Sequence, residues 1–131
     1  MWEDLGEYIL KMINNSLRKK IVEIGVGKFF KVGEYIEKMS SDEDIELLLL
    51  DIAPANDKVI FEDVENPNWD LYDEVGLVYS IRPPYEIQPF IDEISLKTNS
   101  KLIIKPLFNE DLNTKRNLKL KSYKKAVFYE A

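Results

Sequence analysis

The chain has 131 residues, of which 45% are hydrophobic and 32% are charged, and its formal net charge is −6. These values predict one globular domain over residues 1–131 and exclude a disordered chain, collagen and a long coiled coil. The absence of Cys and His excludes zinc sites built on thiolate or imidazole, Cys or Ser–His nucleophiles and disulfides, so we expect no metal.

The apolar pattern divides the chain into short strands and amphipathic helices. Residues 2–17 carry apolar side chains at helical spacing, and residues 45–50 form a leucine-rich run whose length and flanks favour a strand. The predicted elements are, in chain order, helix 2–17, strand 21–24, helix 29–39, strands 45–50, 59–61 and 76–81, a helix around 87–94, strand 101–105, a polar loop over 108–117, and paired strands over 118–121 and 126–129.

The order of these elements predicts the fold class. Continuous apolar strands that alternate with helices are typical of a mostly parallel sheet with helices on both faces. We therefore expect an α/β, Rossmann-like domain that closes with a C-terminal β-hairpin. Residues 1–19 would form an N-terminal helical segment, and residues 20–131 would form the core of sheet and helices.

Apolar runs and charge limit the location and the partners. No apolar run approaches about 18 residues, and the acidic N-terminus lacks the basic start of a signal peptide, so we expect a cytoplasmic protein without membrane contact. Residues 1–75 carry 18 acids and 8 bases, whereas residues 76–131 carry 6 acids and 10 bases. We expect no nucleic-acid binding apart from a weak basic patch over 115–125. We favour the alternative that its lysines prevent edge pairing of terminal strands.

A glycine-containing turn is predicted between the first strand and the second helix. Glu23, Gly25 and Gly27 form the pattern acid-x-Gly-x-Gly and are candidate cofactor-binding residues, because glycine lets backbone N–H groups approach a ligand. The dinucleotide fingerprint requires glycine where Phe30 stands, which argues against a nicotinamide cofactor. The looser methyltransferase pattern is met, although its frequent third glycine would fall at Phe29. Alternatively, the glycines only form a tight turn without a ligand.

Two acids follow predicted strands. Asp51 ends the second strand, 24 residues after Gly27, where a carboxylate can accept hydrogen bonds from ribose hydroxyls. Asp63 follows the third strand and could accept a hydrogen bond from the exocyclic amine of adenine. Because parallel strands place their carboxyl ends at the edge where open α/β sheets bind ligands, the two acids together predict an adenosine-type pocket. Either acid alone would be interpreted as a solvated turn residue.

Several segments together resemble a known family. The segments VEIGVGKFFKVGEYI, LLLLDIAP, FEDV, YSIRPPYEIQPFI and LIIKPL look like a compact class I S-adenosylmethionine-dependent methyltransferase domain. They resemble more closely a small uncharacterised archaeal protein family with that fold, over about residues 20–130. The resemblance implies that Gly25 and Gly27 lie under the methionine part of S-adenosylmethionine, that Asp51 binds the ribose and that Asp63 binds the adenine.

The segment after the fourth strand departs from the pattern of amino-methyltransferases. Those enzymes carry Asp, Asn or Ser before two prolines and an aromatic residue, whereas Arg82 holds the first position here. A guanidinium only donates hydrogen bonds and cannot accept one from an amine, which argues against amine methylation. Arg82 and Tyr85 are instead candidates for binding a substrate carboxylate or phosphate. Alternatively, Arg82 pairs with an acid of the 62–74 loop.

Two hypotheses of function remain. The first is a domain that binds S-adenosylmethionine or a related adenosine ligand, with methyl transfer to an unknown substrate. The second is a non-catalytic interaction or regulatory module that keeps the fold without the cofactor, which Phe29 and Phe30 would favour if their rings filled the pocket. The sequence indicates neither a catalytic residue nor the oligomeric state.

Overall fold

The computed structural model describes residues 1–40, 44–107 and 111–131, and a seven-stranded sheet forms the centre of this part of the chain. The strands are β1 (Lys20–Ile24), β2 (Glu46–Asp51), β3 (Val59–Phe61), β4 (Val75–Ile81), β5 (Lys101–Lys105), β6 (Lys119–Tyr123) and β7 (Ala126–Glu130). Their order across the sheet is β3-β2-β1-β4-β5-β7-β6. The first five are parallel, and β7 runs antiparallel to β5 and β6. The predicted α/β fold with a C-terminal hairpin is confirmed.

Helices cover both faces of the sheet. α1 (Trp2–Asn14) and α2 (Lys31–Met39) pack on one face, and α3 (Gln88–Thr98) packs on the other. Neighbouring residues of a strand point to opposite faces of the sheet. Ile21 therefore packs with α1 and α2, while Val22 packs with α3. This double burial explains why the central strands read as unbroken apolar runs.

α1 is shorter than the predicted helix over 2–17. It ends at Asn14, and Leu17 beyond it is fully exposed. Lys19 Nζ donates to the carbonyls of Ile13 and Asn14, at 3.1 and 2.9 Å, and thereby supplies a side-chain donor to the last carbonyls of the helix. The residues Asn-Asn-Ser that precede Leu17 have short polar side chains that compete with helical hydrogen bonds, which explains the early end.

The remaining elements differ little from the prediction. The acidic segment over 62–74, predicted as a loop, includes a short 3-10 helix at Trp69–Tyr72. The polar segment over 40–44, which the sequence places after the second helix, and the polar loop over 108–117 lie partly outside the described residues. Among the helices of the described ranges, none is long and apolar enough to cross a membrane.

Candidate functional site

The carboxyl edge of the sheet holds a cavity at the point where the strand order reverses. β1 and β4 are neighbours in the middle of the sheet, and the chain builds β2 and β3 on one side of them and β5 on the other. Ligands of open α/β sheets bind at such a switch point. The cavity, here called the acidic cavity, has a volume of about 280 Å³ and is lined by residues at or beyond the carboxyl ends of four strands: Ile24, Gly25, Leu50, Asp51, Ile52, Glu62, Asp63, Val64, Glu65, Pro84 and Ile87.

The glycine turn adopts a backbone conformation that favours glycine. Gly25 and Gly27 have φ angles of 73° and 57°, in the left-handed region that a Cβ atom disfavours. The N–H groups of Gly25 and Val26 both donate to the carbonyl of Leu50, at 2.8 and 3.2 Å, and tie the turn to β2. Gly25 lines the acidic cavity, whereas Gly27 does not.

Asp51 links the glycine turn to the cavity. Its Oδ2 accepts a hydrogen bond from the N–H of Gly27 and its Oδ1 accepts one from the N–H of Ala53, both at 2.8 Å. These bonds fix the orientation of a carboxylate that also lines the cavity. Each carboxylate oxygen has two acceptor positions, so Asp51 retains capacity for hydroxyl donors of a ligand.

Three further acids, Glu62, Asp63 and Glu65, follow β3 and line the same cavity. Asp63 Oδ1 accepts the N–H of Glu65 at 3.0 Å, which folds the turn and orients the side chain. Glu62 is 5% exposed, and its Oε2 accepts the hydroxyl of Tyr72 at 2.6 Å and the N–H of Asn68 at 3.2 Å. Burial and the Glu62 carboxylate raise the pKa of Tyr72, so this hydroxyl remains a donor.

Glu62 is a site residue that sequence reasoning did not select. The signal that could have identified it is its position next to Asp63, directly after a strand. With Asp51, Asp63 and Glu65 it brings the cavity lining to four acidic residues.

Glu23 lies outside the acidic cavity. Its side chain faces the layer of α1 and α2 because it alternates with Val22 and Ile24, which face α3. The carboxylate is 1% exposed and accepts the hydroxyl of Tyr79 at 2.5 Å. Burial raises the pKa of Glu23 to about 7, against a smaller lowering by the Tyr79 hydrogen bond. The residue predicted to bind a cofactor therefore supports the strand beneath the glycine turn.

Arg82 and Tyr85 also do not line the acidic cavity. The guanidinium carbon of Arg82 lies 5.3 Å from the ring centre of Trp2 and 5.7 Å from that of Phe29. The alternative that Arg82 pairs with an acid of the 62–74 loop is not observed: within the described ranges Arg82 forms no ion pair. Tyr85 is 58% exposed, and its carbonyl accepts the Nδ2 group of Asn113 at 3.0 Å.

The rings of Phe29 and Phe30 leave the acidic cavity open. Phe29 packs edge-on against Trp2, with ring centres 4.7 Å apart. Phe30 packs against the small cluster of Val26, Leu49 and Val59 on the other side of the glycine turn. Neither ring lines the cavity.

The cations of the 115–125 segment are largely paired with acids. The ion pairs are Lys115–Glu93, Arg116–Asp92, Lys121–Glu130 and Lys124–Glu7. Arg116 Nε lies 2.7 Å from the buried Asp92 carboxylate, and the other pairs are more exposed. Paired charges attract phosphates less than free ones, so nucleic-acid binding by this segment remains a weak expectation. In the described parts of the chain, no three acidic side chains are grouped as metal ligands.

The strand order and the cavity at its switch point define the class of the protein. It is an α/β domain with the Rossmann-like fold of class I methyltransferases. A solved structure of a SAM-dependent methyltransferase from Aquifex aeolicus shares this fold with a TM-score of 0.59, and the match covers 98% of this chain and 89% of that one. The two sequences are 12% identical, so the similarity shows the fold alone.

Sequence comparison identifies the family. The chain belongs to the uncharacterised protein family UPF0146, whose profile matches residues 3–131. A UPF0146 protein of Methanothermobacter thermautotrophicus is 38% identical over 99% of this chain and 94% of its own length. The relative from Methanocaldococcus jannaschii is 40% identical over 94% of this chain and 90% of its own length. The relative from Archaeoglobus fulgidus is 32% identical over 92% of this chain and 90% of its own length. The predicted membership of a small archaeal family is confirmed.

Proposed function

We propose that the acidic cavity binds S-adenosylmethionine or a closely related adenosine ligand, and that the protein is a methyltransferase. The observation that carries the proposal is the arrangement of Asp51. This carboxylate is held by the N–H of Gly27 at 2.8 Å, on the turn that follows β1, while it lines a cavity at the switch point of the sheet. A fixed acceptor in this position suits the two hydroxyls of a ribose.

The charge of the cavity favours a nucleoside without phosphates. Its lining includes four acidic residues and no basic one. Carboxylates accept hydrogen bonds from hydroxyl and amino groups and attract a positive charge such as a sulfonium, whereas they repel phosphate. The volume of about 280 Å³ lies near the lower end for ligand pockets and suits a nucleoside part. Asp63 would accept the amine of adenine, and Ile52 would contact the ring.

Methyl transfer needs little acid–base chemistry from the protein. S-adenosylmethionine supplies a methyl group on a positively charged sulfur, which a nucleophile can take directly. The contribution of the chain is to hold the nucleoside in one orientation, since alignment of the reacting atoms provides much of the acceleration in such displacements. Asp51 and the turn at Gly25 would provide that orientation.

Two observations argue against the alternatives. A module that has lost its cofactor would be expected to fill the pocket, but Phe29 and Phe30 lie outside the acidic cavity. A nicotinamide dinucleotide requires phosphate contacts, which the four carboxylates of the lining disfavour.

Calorimetric titration tests the proposal. We expect saturable binding of S-adenosylmethionine and S-adenosylhomocysteine, and no binding of ATP or NAD at the same concentrations. Asp51→Ala should weaken binding at least tenfold, or about 1.4 kcal/mol, because it removes the ribose acceptor. Asp57→Ala is the matched control, since Asp57 is an exposed acid of the neighbouring loop that does not line the cavity.

No binding of either adenosine ligand at millimolar concentration would contradict the proposal and favour the non-catalytic module. Since Asp51 also accepts two backbone hydrogen bonds, the folding of Asp51→Ala must be checked by thermal unfolding. Asp63→Asn provides a second variant with a smaller structural change, and we expect it to weaken binding as well.

A further inference from the structure

Two cationic residues end the neighbouring strands β4 and β5. Arg82 directly follows β4, and Lys105 is the last residue of β5. The N–H of Arg82 donates to the carbonyl of Lys105 at 2.6 Å, so the two backbones are in contact. Side chains of a strand point alternately to the two faces of the sheet. Lys105 lies two residues after Ile103, which packs with α1 and α2, so its side chain is on the same face.

The backbone of Arg82 turns its side chain toward the same face. Its φ of 54° is in the left-handed region, which costs a residue other than glycine about 1–2 kcal/mol. The resulting position puts the guanidinium over Trp2 and Phe29, within the distance at which aromatic faces attract cations. Strained backbone of this kind is found preferentially at functional sites.

The two positive charges repel each other. Partial burial lowers the pKa of Lys105, and the charge of Arg82 lowers it further. No acidic side chain of the described residues forms an ion pair with either cation. This differs from the hairpin, where Lys121 and Lys124 each have an acidic partner. An anion from solution would relieve the repulsion.

We propose that Arg82 and Lys105 form a binding site for the phosphate group of a ligand, at the carboxyl edge of the sheet beside the acidic cavity. The site is close to that cavity, because Pro84 lines it two residues after Arg82 and Phe29 follows the glycine turn. A phosphate monoester carries about two negative charges at neutral pH, which match two cations, and the planar guanidinium can donate to two of its oxygens. A carboxylate offers only one charge.

The assignment deepens the proposed function in one respect. If the acidic cavity holds the methyl donor, the phosphate site would hold a phosphorylated methyl acceptor, and this part rests on the proposed function. Phosphate binding itself does not depend on it, because it involves different residues. The two sites therefore fail or succeed separately.

Tryptophan fluorescence provides a direct readout of phosphate binding. The chain has two tryptophans, and Trp69→Phe leaves Trp2, which contacts Arg82, as the single probe. Inorganic phosphate is titrated at about pH 7.5 and constant ionic strength, with acetate as the carboxylate comparison. We expect a saturable change in Trp2 emission with phosphate, at an affinity at least tenfold higher than with acetate.

Four variants in this background separate the site from a general charge effect. Arg82→Gly removes the cation and permits the left-handed backbone, and its matched control is Lys124→Gly, which removes a paired cation at a φ of 53°. Lys105→Met is matched by Lys101→Met at the other end of β5. We expect Arg82→Gly and Lys105→Met to weaken phosphate binding at least tenfold, and the controls to change it less than threefold.

The proposal is overturned if phosphate produces no saturable change, if acetate binds as tightly, or if Arg82→Gly and Lys105→Met bind like their controls. S-adenosylhomocysteine is titrated calorimetrically into the same wild-type preparation. Phosphate binding without nucleoside binding would contradict the proposed function alone, and nucleoside binding without phosphate binding would contradict the phosphate site alone.

Discussion

The ionisation of Glu23 is coupled to folding, because its pKa differs between the folded and the unfolded protein. Its carboxyl group is buried against Tyr79 and keeps its proton up to a pH of about 7 in the folded protein. In the unfolded chain the same group has its ordinary pKa of 4.5. The unfolded state therefore releases this proton first as the pH rises.

This shift predicts that stability falls with rising pH. Between pH 4.5 and about 7 the folded state binds more protons at Glu23 than the unfolded state, so the free energy of unfolding decreases and then levels off above pH 7. At about 1.4 kcal/mol for each pKa unit, the decrease amounts to about 3 kcal/mol. Urea denaturation at pH 5, 6, 7 and 8 measures it. Glu23→Gln should lack this component, because an amide resembles the protonated acid at every pH.

The Tyr79 hydroxyl provides a control for this interpretation. Its hydrogen bond lowers the pKa of Glu23, so Tyr79→Phe should extend the decrease in stability to higher pH. A constant difference in stability between wild type and Glu23→Gln from pH 5 to 8 would contradict the assigned ionisation.

At the scale of residues, strand ends were easier to predict than side-chain directions. Asp51 and Asp63 line a common cavity because Asp51 ends β2 and Asp63 lies two residues after the end of the parallel strand β3, and the apolar runs already indicate both strands. The acid-x-Gly-x-Gly pattern predicts Glu23 as a cofactor-binding residue. The alternation of side chains along β1 instead turns Glu23 to the face of α1 and α2, away from the acidic cavity. The position of the Arg82 side chain could not be predicted, because no sequence pattern indicates its positive φ and because the ring of Trp2 that it contacts is 80 residues away in the chain.

At the scale of elements, α1 is a part of the core. It buries Leu5, Ile9, Leu10 and Ile13 against the sheet. The Tyr8 hydroxyl donates to Glu130 at 2.7 Å, which connects the first helix to β7. Because β7 lies between β5 and β6, α1 stabilises the arrangement of the C-terminal hairpin.

The burial of α1 predicts unequal costs for two truncations to alanine. Ile9 is 0% exposed, so Ile9→Ala should lower the free energy of unfolding by about 2–5 kcal/mol through lost burial and a cavity. Leu17, placed on the same helix face by sequence periodicity, is fully exposed, and Leu17→Ala should change stability by less than about 0.5 kcal/mol. Urea denaturation of both variants is the measurement. Equal effects would mean that the helix extends to Leu17, as periodicity alone predicts.

Helices and strands are predicted well where the spacing of apolar residues determines the structure. Their ends are predicted less accurately where hydrogen bonds of polar groups determine where a helix stops. The strand at 101–105 was predicted to the residue because a short apolar run is flanked by lysines. Apolar periodicity places the end of α1 three residues beyond Asn14, because it does not reveal the hydrogen bonds from Lys19 to the last carbonyls.

At the scale of the whole molecule, the uneven charge of the sequence becomes an asymmetry of the sheet. The acidic first part of the chain builds β1, β2 and β3, and the basic remainder builds β4 to β7. Because β1 and β4 meet in the middle, the four acids of the cavity lining come from the β2 and β3 side of the switch point, and the Arg82–Lys105 pair lies on the β4 and β5 side. A ligand pair with a positively charged nucleoside and a phosphorylated acceptor would match both sides.

The most direct test of this account is a crystal structure of the protein with S-adenosylhomocysteine. We predict that the adenosine part occupies the acidic cavity, with the ribose hydroxyls within hydrogen-bonding distance of Asp51 and the adenine amine close to Asp63. A nucleoside bound elsewhere on the molecule, or an acidic cavity without nucleoside density after co-crystallisation at millimolar concentration, would contradict the central claim.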